Sequence, residues 1–92
     1  METASRWTLL SSHGLSLLAI SRSPGLTLTD LARTVGITDR RAHTIVKELA
    51  DAGYVSIERR GRRNFYHLDP SRPFRHHDLA GHQVGDLIRA LS

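Results

Sequence analysis

The sequence predicts a mainly α domain carrying one small β-hairpin (α+β), and three observations lead there. Apolar residues recur at helical spacing in several short runs, most regularly at Ala42, Ile45, Val46, Leu49 and Ala50. Glycines follow two of those runs, Gly36 and Gly53, where a helix wants a left-handed residue at its end. After Gly53 come two segments rich in β-branched and aromatic residues, flanking Arg59-Arg60-Gly61-Arg62-Arg63.

The elements follow in order. Met1–Arg6 carry no pattern and read as a frayed end, with Trp7, Leu9 and Leu10 behind them. Ser11 or Ser12 is suited to capping a first helix over residues 11–22, whose apolar residues are Leu15, Leu17, Leu18, Ala19 and Ile20. Ser23-Pro24-Gly25 ends it. Leu26-Thr27-Leu28 is short and extended in character, and is read as a third strand beside the hairpin. Thr29, just before Asp30-Leu31-Ala32, is read as the cap of the next helix, which closes at Gly36. Thr38 then caps a third helix running to about Ala52, with Ile37 as the apolar plug between the two. Residues 29–53 are thus two helices joined by a short glycine-containing turn, the helix-turn-helix arrangement. Residues 54–68 form the hairpin, with strands at Tyr54–Glu58 and Asn64–Leu68 and Gly61 supplying positive φ at the tip. Asp69-Pro70-Ser71-Arg72-Pro73 is a break. A fourth helix is expected over residues 74–91, on the spacing of Leu79, Ala80, Val84, Leu87, Ile88 and Leu91.

The third helix separates its faces. Opposite its apolar stripe stand Arg40, Thr44, Lys47 and Asp51, flanked by Arg41, His43 and Glu48, so positive charge gathers in the N-terminal half. A helix that reads DNA contacts base edges from that half. Four arginines around one glycine suit phosphate contacts or insertion into a narrow minor groove.

Residues 27–68 resemble the winged helix-turn-helix of MarR- and ArsR-type transcription regulators. The resemblance lies in Leu28-Thr-Asp-Leu-Ala-Arg-Thr-Val-Gly-Ile-Thr and Val46-Lys-Glu-Leu-Ala-Asp-Ala-Gly-Tyr-Val, followed by the basic hairpin, or wing. It implies a winged helix that binds double-stranded DNA and pairs as a homodimer through N- and C-terminal helices. The expected DNA-binding residues are Thr38, Arg40, Arg41, His43, Thr44 and Lys47 on the helix and Arg59, Arg60, Arg62, Arg63 and Asn64 on the wing. The expected dimer interface is Trp7, Leu10, Leu79, Val84, Leu87, Ile88 and Leu91, because an apolar terminal helix needs a surface to pack on.

Composition agrees with this assignment. Ninety-two residues make one domain, with net charge +4, and only one of the 13 Lys and Arg residues is lysine. A basic domain invites an anionic partner, nucleic acid before membrane. No apolar run approaches the ~20 residues of a membrane span, no segment has a signal-peptide layout, and a cytoplasmic protein is expected. The absence of cysteine removes disulfides, thiolate metal sites and cysteine nucleophiles. With no phosphate loop, no nucleophile beside a base and no suggestive carboxylate pair, the sequence points away from an enzyme. His76, His77, Asp78, His82 and Asp86 place two i,i+4 pairs on one expected helical face. Such pairs are common on solvated faces, so no metal or cofactor is assigned. A metal-responsive sensor built on them, as some ArsR-like regulators are, is one alternative reading. An interaction module for protein or RNA is the other, and the cations of the third helix argue against it.

Overall fold

Three threonine and serine side chains decide where the helices begin. In the computed structural model, which describes residues 7–92, Ser11 accepts a hydrogen bond from the amide of Gly14 at 3.2 Å and starts α1 (Ser12–Arg22). Thr27 accepts from the amide of Asp30 and starts α2 (Leu28–Val35). Thr38 accepts from the amide of Arg41 and starts α3 (Asp39–Asp51). Each cap satisfies an amide that has no partner inside its helix, a contribution of about 1 kcal/mol. Gly36, at φ +86°, closes α2 and lets Ile37 turn the chain into α3.

The cap of α2 is therefore Thr27 and not Thr29. Asp30 reaches back to the Thr27 amide and completes a reciprocal pair, while the Thr29 hydroxyl donates to Asp39 at 3.2 Å, at the start of α3. This also removes the third strand expected at Leu26-Thr27-Leu28. Leu28 is already helical, and the sheet has two strands.

The strands are β1 (Val55–Arg60) and β2 (Arg63–Leu68), antiparallel, with Val55 opposite Leu68 and Arg60 opposite Arg63. The turn between them is only Gly61-Arg62. Gly61 has φ +60° and Arg62 does not have positive φ, as a two-residue turn of type II′ requires. The hairpin is thus longer than expected, and three of the four arginines assigned to its tip belong to paired strand.

The core gathers Ile20 of α1, Leu31 of α2, Ile45 of α3 and the wing-base residues Val55 and Tyr66 into one cluster. Ile20, Leu31 and Ile45 are fully buried, and truncating any of them to alanine would cost about 2–5 kcal/mol. Ser16 is buried in α1, and among the described residues its hydroxyl has no hydrogen-bond partner.

The C-terminal segment departs most from expectation. In place of one helix over 74–91, the chain runs through a bridge between Pro73 and Gln83, a 3₁₀ turn at His77–Leu79, and a short α4 (Val84–Ala90). Backbone hydrogen bonds explain the break. The amides of Val84 and Gly85 donate to the carbonyls of Arg72 and Pro70, both at 2.8 Å, and Asp86 accepts from the Gln83 amide at 3.0 Å. The first amides of α4 are satisfied by the turn after the wing, so the helix starts there. Residues 1–6, read as frayed, lie outside the described residues.

Candidate nucleic-acid interface

Helix α3 buries Ala42, Ile45, Val46 and Leu49 against the core, as its periodicity predicts. Its exposed face then carries Arg40, Arg41, His43, Thr44 and Lys47. Among the described residues, the side chains of Arg40, Arg41 and His43 have no hydrogen bond or ion pair. Thr44 donates to the carbonyl of Arg40 at 3.2 Å, and its oxygen keeps acceptor capacity. Lys47 pairs with Asp51 at 3.2 Å, an exposed i,i+4 contact worth only a few tenths of a kcal/mol and easily exchanged. Thr38 spends its hydroxyl oxygen on the cap. Glu48 turns to His13 of α1 at 2.7 Å, so this acid does not neutralise Arg40 and Arg41, about two turns before it.

The wing divides into two faces by its register. Val55, Ile57 and Arg59 share one face with Leu68, Tyr66 and Asn64, and Glu58 and Arg60 share the other with Phe65, Arg63 and His67. On the second face Glu58 accepts from Arg60 at 2.9 and 3.1 Å and lies 2.7 Å from His67 Nε2. Those contacts, Arg60 foremost and His67 next, pull the Glu58 carboxyl down to about 2 and raise Arg60. The Arg60 guanidinium also lies 4.4 Å from the centre of the Phe65 ring, and that of Arg63 lies 5.6 Å from it. Arg63 donates to the carbonyl of Gly25. Arg59 folds onto the carbonyl of Gly61 at 2.8 Å, and Arg62 has no partner among the described residues. The four arginines are therefore not equivalent. Asn64 sits half-buried beside them. Sequence reasoning missed Glu58, Phe65 and Gly25; the alternation of side chains along the strands was the signal for the first two, and Gly25, outside the strands, had none.

A family model described as MarR family matches residues 8–63. This chain belongs to the MarR family. The chain is similar to the solved structure of the zinc-dependent MarR family transcriptional regulator AdcR in its Zn(II)-bound state, at 22% identity and TM-score 0.55, covering 75% of this chain and 49% of that one. It is also similar to a MarR family protein of Mycobacterium tuberculosis in complex with salicylic acid, at 29% identity and TM-score 0.58, covering 89% of this chain and 59% of that one. The chain spans about half to three-fifths the length of these two structures. The comparison with curated proteins returned no match. The winged helix of this MarR family chain is a fold it shares with these two structures. Among the described residues no helix is long and apolar enough to cross a membrane.

The residues expected at a dimer interface are scattered. Trp7 is exposed (74%), as are Leu79 and Leu91, while Leu10, Leu87 and Ile88 are half-buried. Val84 is 2% exposed because it fills the core of its own chain. This MarR family chain also carries an open apolar groove of about 770 Å³ between the start of α1, the end of α3 and α4, lined by Leu9, Leu10, Leu17, Phe74 and Leu87 among others. The helical face expected to align Asp78, His82 and Asp86 does not form, since the segment is not one helix. Asp86 is instead engaged with Gln83 and Arg89. His76, His77 and Asp78 cluster on the 3₁₀ turn, fully exposed, with donor atoms within 4.8 Å of one another.

Proposed function

We propose that the protein is a sequence-specific double-stranded DNA-binding transcription regulator acting as a homodimer. The observation that carries this reading is the α3 face, where Arg40, Arg41 and His43 stand exposed and uncommitted at the N-terminal half while Glu48 is occupied by His13. Arginine in that half of a reading helix makes bidentate contacts to guanine in the major groove. Thr44 and His43 complete the base-reading set, with Thr38 and Lys47 at phosphates. Arg62, free at the wing tip, and Arg59, held only by its own turn, are the wing residues for the backbone or minor groove, with Asn64 beside them. Arg60 and Arg63 reach phosphate only by giving up their contacts with Glu58 and Gly25.

The homodimer reading is supported by the apolar groove and by Leu9, 91% exposed at its rim, an arrangement that a second copy would cover. Two-fold pairing would set two α3 helices on half-sites about one helical turn apart.

Selection of bound duplexes from a random pool, at two salt concentrations, tests both parts. An inverted repeat with half-sites one turn apart is expected. Salt-sensitive binding with no preferred sequence would replace the regulator reading with an architectural one, and no binding at low salt would overturn it.

A further inference from the structure

The wing is fastened to the turn between α1 and α2, and one aromatic ring makes the fastening. Phe65 of β2 lies against Gly25, so close that a β-carbon on Gly25 would stand 2.9 Å from the ring's Cε2 and 3.4 Å from its Cδ2. On either side of that contact the strand is tied to the same turn. Tyr66 donates its amide to the Pro24 carbonyl at 3.0 Å, and Arg63 donates to the Gly25 carbonyl. The guanidinium of Arg60 lies over the ring, where Glu58 holds it. A two-stranded ribbon is marginal by itself, so its direction is set by what its root rests on.

We infer that Phe65 is a positioning residue for DNA binding: its ring, seated on the bare backbone of Gly25, fixes the angle at which the wing leaves the body and hence where Arg59 and Arg62 meet a duplex. The inference rests on the DNA-binding reading above and adds a division of labour to it. Arg60 and Arg63 hold the wing in place, and Arg59 and Arg62 are presented to the ligand. The side chain missing at Gly25 is part of the device, because any β-carbon there would push the ring and tilt the ribbon.

Gly25 makes the test clean. It is not among the glycines with positive φ, so its backbone accepts another residue, and Gly25→Val inserts a wedge while leaving every charge and Phe65 itself in place. Binding is measured to the duplex recovered by selection and to a scrambled duplex of equal length, for the wild type, Phe65→Leu, Phe65→Tyr and Gly25→Val. In parallel, nuclear Overhauser contacts between the Phe65 ring and the Gly25 Hα are recorded without DNA. Wild-type protein should show those contacts. Phe65→Leu and Gly25→Val should lose about tenfold on the selected duplex, as misplacing the wing's backbone contacts does. Both should lose about as much on the scrambled one, with a shallower salt slope and an unchanged melting temperature, because Arg59 and Arg62 no longer reach the phosphates. Phe65→Tyr, which keeps the ring, should bind as the wild type does. Losses that come with a lowered melting temperature and a wild-type salt slope would mean that the ring only stabilises the fold, overturning the inference. Wild-type affinity for the selected duplex in both Phe65→Leu and Gly25→Val would overturn it too, as would absence of the ring–Gly25 contact in wild type. Wild-type protein binding neither duplex would fell the DNA reading itself, and this inference with it.

Discussion

Thr27 and Asp30 bond to each other twice: the Thr27 hydroxyl accepts from the Asp30 amide at 3.0 Å, and the Asp30 carboxylate accepts from the Thr27 amide at 3.4 Å. The same Thr27 contacts, helped by Arg33, hold the Asp30 carboxyl below its ordinary range. Replacing Thr27 by alanine should cost about 1 kcal/mol in urea unfolding, as loss of a helix cap does. Thr29→Ala, which removes only an exposed bond to Asp39, should cost less than about 0.5 kcal/mol. A larger loss at Thr29 than at Thr27 would contradict the cap assignment.

Ser16 places a hydroxyl in the core where, among the described residues, it has no hydrogen-bond partner. Ser16→Ala removes a desolvated donor and leaves almost no cavity, so the variant should unfold at the same or a higher urea concentration, a gain of up to about 1 kcal/mol. A loss beyond that would reveal a partner for the hydroxyl.

The wing has its own pH dependence. Glu58 ionises at about 2 in the folded protein against an ordinary 4.5, because Arg60 and then His67 bond to the carboxylate. A lowered folded value means that the unfolded chain binds the proton more readily. The contribution is therefore present above about 4.5 and is lost as pH falls toward 2. Glu58 is exposed, so the expected effect is local. Carbon-detected titration should find its carboxyl protonating well below 4.5, and Arg60→Gln should return it toward that value. A wild-type value near 4.5 would show that the pair is not populated.

Arg40 and Arg62 should fail differently. Arg40→Ala is expected to cost about 1–3 kcal/mol on the selected duplex and to relax preference at one position. Arg62→Ala should weaken all duplexes alike and reduce the slope of log K against log salt by about 0.9. Identical behaviour of the two variants would abolish the distinction between base reader and backbone holder.

The parts of the fold legible in the sequence were those fixed by local chemistry. The stripe Ala42, Ile45, Val46, Leu49 marks one side of a 3.6-residue helix whatever lies beyond it, and Thr38, Gly36 and Gly61 act on their own backbone. Thr29 stands next to the acid and draws the cap assignment, but the hydroxyl that reaches the Asp30 amide belongs to Thr27, three residues before it. Arginines were assigned to a loop, although paired strand tolerates charge on an exposed ribbon. The C-terminal helix is shorter than its pattern because Ala80, Val84 and Leu87 keep helical spacing across Gly81, and spacing is blind to the carbonyls of Arg72 and Pro70 that claim the Val84 and Gly85 amides. The Glu58–Arg60–His67 cluster depends on cross-strand register, and the seat of Phe65 on Gly25 joins residues 40 positions apart in the chain.

Arg72 is a mechanical joint. Its carbonyl holds the first amide of α4, and its Nε holds the carbonyl of Gly53 at 3.1 Å, where α3 gives way to the wing. Its guanidinium lies so close over Gly53 that a β-carbon there would stand 2.0 Å from it, so the joint has no slack on that side. A load applied to α4 thus has, beside the core contact of Val84, a direct backbone route to the root of the hairpin and the far end of α3.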